Sequence, residues 1–353
     1  MLLRSLWRGD TGLRLRPRLD QKMWSWGLKF LAQCREDRAR ANSLGKLRIS
    51  LYSQQVMGDL VAQTGIAFDH LRAGILYLNR DAAALERSIA EMELLVDNGV
   101  KMEVLDAAGC ARIEPALAHL GAELAGAVYC PEDEHGDCNM FTRALAGRAA
   151  DAGVEFQFNT TIQAVAVKGA AIARVITDKG EFTADAYVMA LGPHSPIVAR
   201  RIGVDFPIYP VKGYSMTIPV TPDHQGPAGS GVDKDSLMAW SRLGDRLRLT
   251  STAEIAGYDH SRPPAQYARM RRGAESLFPN GADFDRAVTW CGLRPMTPEG
   301  TPIFGRGRHE NLWFNTGHGS MGWTMACGSA QVTADLIAGR KVAIDLAGMQ
   351  LAG

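Results

Sequence analysis

Three glycines at the spacing G-x-G-x-x-G, Gly317, Gly319 and Gly322, stand between the apolar run NLWFN and the run WTMACGSAQVTADLI. Strand, tight turn and helix are the elements this order predicts. Glycines let backbone N–H groups approach a ligand closely, and a helix N-terminus beginning near Trp323 presents partial positive charge. The spacing is that of a dinucleotide-binding turn, and Asp345 in KVAID stands where an acid gripping a ribose would stand. A free-standing nicotinamide site is nevertheless disfavoured. Such a half-domain needs further strand–helix units to complete its sheet, and only eight residues follow Asp345.

With 353 residues, 46% apolar and 22% charged, the chain has the composition of an ordinary globular protein long enough for two domains. A formal net charge of +1 gives no case for a nucleic-acid partner. The charge is unevenly spread. Residues 1–48 carry twelve Lys/Arg against four acids, a local net charge of +8, with Trp7, Trp24 and Trp26 among them. Basic residues interleaved with tryptophan mark membrane-surface segments. A solvated basic helix explains the same composition more simply. A cytoplasmic protein with a peripheral contact on the inner membrane is the second reading. No apolar run reaches the roughly 18–20 residues needed to span a bilayer. Residues 1–19 have too short an apolar core for a secretory signal; they are rich enough in arginine to hint at a transit peptide, but poor in serine.

The six cysteines (34, 110, 130, 138, 291 and 327) contain no C-x-x-C and read as reduced thiols. The cluster CPEDEHGDC, Cys130 to Cys138, invites a metal reading, but its spacing matches no zinc pattern. A helix begins just after it, and Asp137 or Asn139 as N-cap accounts for the polarity, so no metal is expected.

Periodicity predicts a helix over 46–63 with Leu47, Leu51, Val56, Leu60 and Val61 on its apolar face, a strand at 74–78 and a helix at 81–97. A short helix capped by Asp106 should break at Pro115. After a helix at 139–151 come expected strands at 154–158, 162–167, 171–177 and 186–191, the last apolar throughout as if buried on both faces. A β-rich middle (208–218 and 246–255), a helix at 264–277, the run AVTWCGLRP and a strand at 312–315 complete the pattern. The strands 186–191 and 312–315 are expected in one sheet. An α/β, β-rich, α/β order suggests a ligand-binding domain interrupted by a second domain.

A reduced flavin carries negative charge around N1 and C2=O and suits the Gly-rich helix terminus. At this point the match becomes specific. CGLRPMTPEGTPIFGR (291–306) followed by NTGHGSMGWTMACGSAQVTADLI (315–337) resembles the C-terminal signature of the FAD-dependent D-amino-acid oxidase superfamily, nearest in pattern to the bacterial D-amino-acid dehydrogenases. RIEPAL (112–117), GVEFQFNT (153–160), DAYVMALG (185–192) and YPVKGYSMTIP (209–219) extend the match over Trp24 to Leu336. The resemblance implies an α/β flavoprotein fold: a Rossmann-like FAD-binding domain plus a β-rich α+β substrate domain.

The expected boundaries place 1–130 and 206–296 in the substrate domain, and 131–205 and 297–353 in the FAD-binding domain. Family members open on a strand, a G-x-G-x-x-G turn, a helix and a second strand ending in a ribose-binding acid. This sequence starts beyond that first βαβ unit, so about 60–80 family residues are expected to be missing and the Rossmann-like domain to be interrupted.

The implied reaction is oxidative deamination of a D-amino acid such as D-alanine to a 2-oxo acid and ammonia, with FAD as cofactor and the respiratory chain as acceptor. Arg294 in GLRP matches the superfamily's carboxylate-binding arginine, and a planar guanidinium fork suits a carboxylate. Tyr258 and Tyr214 are candidates for a second polar contact. Ile162, Ala190 and Gly192 match positions around the ADP half. Gly317, Gly319, Ser320, Met321, Gly322, Trp323 and Thr324 match the loop that holds the flavin ring. His318 reads as satisfying a loop carbonyl rather than polarising the ring. Two alternatives stand beside this: an oxidase or dehydrogenase for glycine, sarcosine or D-hydroxyproline, and a non-catalytic remnant that binds no FAD.

Overall fold

The computed structural model describes residues 13–351. The first third of the chain forms β1 (Leu13–Leu15), α1 (Gln21–Gln33), α2 (Glu36–Thr64), β2 (Ile75–Asn79), α3 (Ala82–Val96), β3 (Glu103–Leu105) and α4 (Ala107–Ile113). The middle forms β4 (Gly126–Cys130), α5 (Cys138–Asp151), β5 (Ile162–Lys168), β6 (Ala171–Thr177), β7 (Gly180–Phe182), β8 (Tyr187–Met189), α6 (Ser195–Ala199) and β9 (Tyr209–Pro219). Then follow β10 (Ser230–Asp233), β11 (Met238–Leu243), β12 (Arg246–Ile255), α7 (Pro264–Leu277), β13 (Val288–Met296), β14 (Ile303–Arg306), β15 (Leu312–Thr316) and α8 (Gly322–Ile337). The chain divides into two compact units. One holds the residues up to Pro17, Ala67–Ala144 and Lys212–Gly292; the other holds Arg18–Ile66, Leu145–Val211 and the residues from Leu293 on.

The first unit is built on a nine-stranded sheet of order β13-β9-β12-β11-β10-β2-β4-β3, with β1 pairing in parallel with β12. Alternation explains its core. Tyr214, Met216 and Ile218 of β9 and Leu247 and Leu249 of β12 are buried on one face, where Tyr267, Met270, Ala274 and Leu277 of α7 meet them. The helical residues recur at three and four positions, one face of a helix. Burying each large apolar side chain there contributes about 1.5–3 kcal/mol. β11 and β12 form a tight antiparallel hairpin pairing Leu243 with Arg246 across Gly244, whose φ is 57°.

The second unit has a three-stranded sheet, β14-β15-β8, and a separate antiparallel sheet, β5-β6-β7. β8 and β15 run parallel, pairing Tyr187 with Leu312 and Val188 with Trp313, so the strands at 186–191 and 312–315 do share a sheet. Met189, Phe206, Ile208 and Phe314 form the core beside it. Ile49, Phe304, Met325 and Val332 form another, where α2 packs on α8.

Several expectations are revised. β8 is only three residues long, and Val188 is 45% exposed, so the strand is not buried on both faces. VEFQF (154–158) forms no strand, and Val154, Phe156 and Phe158 lie exposed. An alternating apolar run becomes a strand only where a ladder partner exists. α2 starts at Glu36 rather than 46, and buries Gly45, Ile49, Ser53 and Met57 instead of the Leu47 face. The cause is the close crossing with α8: a Cβ at Gly328 would stand 2.8 Å from Ser53 Cα. Ser53 and Gly328 let the helices approach closely, and Ile49, Met325 and Val332 fill the contact beside them. Residues 18–66 fall in the second unit.

Candidate functional site

Because β8 and β15 run parallel, their C-terminal ends share one edge of the sheet, which is where open α/β sheets bind ligands. Beyond β8 the chain turns through Ala190 and Gly192 towards α6; beyond β15 it turns through Gly317–Met321 into α8. The two turns are tied. The hydroxyls of Ser195 and Thr316 hydrogen-bond at 2.8 Å, and the Thr316 hydroxyl lies 3.4 Å from the Gly192 carbonyl oxygen that it donates to.

Gly317 and Gly319 hold φ of 78° and 58°, a conformation that favours glycine, and a Cβ at Gly317 would also stand 2.8 Å from Thr297 Cγ2. Gly322 is already helical, with φ −56°. No side-chain hydrogen bond caps α8 at Met321, and the N-terminus of this 16-residue helix carries partial positive charge. Ser320 and Thr324 are exposed there, while Met321 and Trp323 are half-buried. One residue before the turn's Thr316, the Asn315 side-chain oxygen is buried without a hydrogen-bond partner.

β13 delivers Arg294 to the same neighbourhood. Its last residue, Met296, pairs with His318 in an isolated antiparallel bridge, and Pro295 lies against Gly192. Arg294 shares a strand face with Met296 and is half-buried. Burial pushes its guanidinium below the ordinary arginine range, the mark of a desolvated cation. Burial also pushes the His318 imidazole down to about 4, so it is neutral at neutral pH; its ring meets Phe304 edge-on at 6.1 Å. Ile162 opens β5, half-buried and paired with Thr177. Its sheet reaches the Met189 core through Val165 and Ile172.

The basic, tryptophan-bearing segment divides inside α1. Trp26 is buried; its Nε1 donates to the Met296 carbonyl at 2.9 Å, and its ring stacks on Phe30. It therefore braces the end of β13 and is closed to any outside partner. Trp24, two residues earlier, faces outwards. Trp7 lies outside the described residues.

In the first unit Tyr258 is 39% exposed, on the turn that follows β12. Tyr214 is a core residue, packed edge-on against Tyr267 with its hydroxyl donating to Glu254. It has no surface to offer a substrate. Sequence reasoning missed the charged cluster beside it. Lys212 is fully buried; its ammonium donates to Asp259 at 2.8 Å and to Ser261 O at 3.1 Å, and lies 3.3 Å from Glu254. Arg16 completes the group, 2.7 Å from Glu254 and 3.1 Å from Asp259. Lys212 and Ser261 hold the Asp259 carboxyl far below the usual carboxylate range. A lysine inside the strand run YPVKGYSM was the available signal, since a buried ammonium requires partners. In CPEDEHGDC, Asp137 accepts from the Asn139 and Met140 backbone N–H groups as N-cap, and His135 Nε2 meets the Arg242 carbonyl oxygen.

Residues 16–336 match the family model described as FAD dependent oxidoreductase (DAO). The chain is 45% identical over 349 residues to a D-amino acid dehydrogenase of Paramagnetospirillum magneticum, covering 99% of this chain and 83% of the relative. It is 43% identical over 352 residues to D-amino acid dehydrogenase 2 of Mesorhizobium japonicum, covering 99% and 85%. Among solved structures, glycine oxidase from Geobacillus kaustophilus superposes with a TM-score of 0.77 at 24% identity, covering 86% of this chain and 82% of that one. L-proline dehydrogenase from P. horikoshii gives 0.73 at 18% identity, covering 83% and 79%. Those two likenesses establish the fold and leave substrate open. With its Gly-rich turn, its parallel strand pair and a match spanning most of its length, the chain belongs to the DAO family of FAD-dependent oxidoreductases.

Proposed function

We propose that this chain oxidatively deaminates D-amino acids, such as D-alanine, to 2-oxo acids and ammonia. The observation that carries the reading is the identity of 45% and 43%, over 99% of the chain, to two proteins named D-amino acid dehydrogenase. The residues present fit the ring end of FAD. A helix N-terminus faces the turn, two glycines open it, and Asn315 leaves a buried acceptor unused. Gly317, Gly319, Ser320, Met321, Gly322, Trp323 and Thr324 would hold the ring, with Ile162, Ala190 and Gly192 serving the ADP half. FAD, when bound, supplies the two-electron acceptor chemistry.

Arg294 then clamps the substrate carboxylate. Its planar fork donates to two carboxylate oxygens at once and fixes the orientation of the Cα–H bond, so no strong protein base is required. Tyr258 adds a second polar contact from its exposed turn. His318, neutral by burial, adds no charge and holds its loop. To test the reading, the purified protein is supplied with FAD and assayed with D-alanine, L-alanine and glycine and an artificial electron acceptor. Turnover confined to the D-enantiomer supports it; a preference for glycine or L-alanine overturns it.

The acceptor in this reading is the respiratory chain, reached by peripheral contact of a cytoplasmic protein with the inner membrane. No helix among the described residues is long and apolar enough to cross a membrane. α1 supports a surface contact instead. Trp24, Leu28 and Leu31, at helical spacing, are 49%, 70% and 45% exposed, and Lys22 and Lys29 flank them. Co-sedimentation with anionic vesicles at low and high salt checks this, since an electrostatic contact weakens as salt screens it. Binding indifferent to salt, or absent, removes the membrane from the proposal.

A further inference from the structure

The sheet of the first unit has a second face. Tyr214, Met216, Leu247, Leu249 and Cys291 point into the core that α7 covers. The residues alternating with them, Ser215 and Thr217 of β9, Arg248 of β12 and Trp290 of β13, therefore share the opposite face. β13, β9 and β12 are neighbours in that order.

Trp290 is 52% exposed on this face, yet its ring and its backbone are both held in place. A Cβ at Gly292, the next residue on the same face, would collide with Trp290 Cη2, so the indole lies across the glycine. The Arg248 guanidinium sits 5.9 Å from the ring centroid, and Arg248 is itself anchored to Ser215 Oγ at 3.2 Å and Thr217 Oγ1 at 3.3 Å. The Tyr267 hydroxyl donates to the Trp290 carbonyl at 3.1 Å and fixes the backbone beneath. An exposed aromatic that has already lost its rotamer freedom binds a partner with little further ordering cost. A surface indole meant only for solvent needs neither the glycine notch nor the guanidinium brace.

We propose that Trp290 receives the substrate's side chain and selects D-amino acids with apolar or aromatic side chains. The assignment rests on the D-amino-acid reading and on Arg294 as the carboxylate clamp. Gly292, which carries the leading edge of the indole, stands one pleat, about 7 Å, before Arg294 on the same face of β13. That is the span of an amino acid from its carboxylate into its side chain. The indole face favours CH-rich and aromatic groups. The Arg248 cation is braced against the indole, so a cationic substrate side chain meets repulsion there.

The test compares kcat/KM for D-alanine, D-leucine and D-phenylalanine in the FAD-loaded protein and three variants. Trp290→Ala should lower D-leucine and D-phenylalanine about tenfold or more relative to D-alanine, the scale at which apolar contacts discriminate. Gly292→Ala keeps the indole but displaces it and should shift the ratio the same way. Trp290→Phe, which retains a ring, should restore part of the D-phenylalanine preference. A uniform fall for all three substrates, or an unchanged profile, overturns the proposal. If Trp290→Ala does not fold, the Gly292→Ala and Trp290→Phe ratios decide it. A wild-type protein inactive on every D-amino acid overturns the underlying reading instead.

Discussion

The side-chain hydroxyls of Ser195 and Thr316 hydrogen-bond to each other at 2.8 Å, and both residues are buried. One follows β8 and the other ends β15, so a single bond couples the two turns at the C-terminal edge of the parallel pair. Thr316→Val keeps the shape and leaves the Ser195 hydroxyl without this partner, at a cost of about 1–3 kcal/mol in stability. FAD affinity should fall with it, because the 190–192 turn loses its tie to the Gly-rich turn. Urea unfolding with a flavin-absorbance titration measures both. Unchanged affinity at reduced stability would confine the bond to a structural role.

Arg294→Lys keeps a positive charge but loses the planar fork. In the FAD-loaded protein kcat/KM for D-alanine should fall about 10²-fold or more, at least roughly 2.7 kcal/mol. FAD content should stay the same, since the residue meets substrate rather than cofactor. Near-native turnover in Arg294→Ala would move the clamp elsewhere.

His318 should make stability depend on pH. Its folded value lies near 4 and its ordinary value is 6.5. Between those limits the unfolded chain binds a proton that the folded chain refuses, so stability declines as pH falls through this window. The loss from this group is at most about 3 kcal/mol, complete near the lower limit and absent above the upper one. Denaturant midpoints from pH 7 to pH 4, compared with those of His318→Gln, isolate it. Parallel curves for the two proteins would mean that the imidazole protonates freely in the folded state.

Lys212→Met should be among the most destabilising single changes in the first unit. It removes a fully buried ammonium from between Glu254 and Asp259 and leaves Arg16 alone to balance two carboxylates. Breaking a buried pair in this way costs about 3–5 kcal/mol. The double variant Lys212→Met/Glu254→Gln should recover part of that loss, because it also removes a stranded charge. Equal stability of the single and double variants would show that the charges do not interact.

Local chemistry was legible in the chain. Asp106 and Asp137 cap the helices that follow them, and α7 runs over the predicted 264–277. The Gly-rich turn needed only its own glycines and the strand and helix beside it. Such features depend on backbone torsions and hydrogen bonds within a few residues, which neighbouring residue types settle.

Features that depend on distant partners were not legible. VEFQF has the alternation of a strand, yet it finds no ladder and stays uncommitted. α2 buries Gly45 against Thr301 and Met349 and Ser53 against Gly328 of α8, while its leucines stay partly exposed. Trp24 and Trp26 are two residues apart on one helix, and only the position of the Met296 carbonyl decides which is buried. Lys212 can be buried because Glu254 and Asp259, more than forty residues away in sequence, arrive to balance it. Sequence alone determined the turns, the Asp-capped helix starts and the family pattern, whose causes are local. Tertiary structure decided which faces close and which charges can be buried, because burial is a property of the partner as much as of the residue.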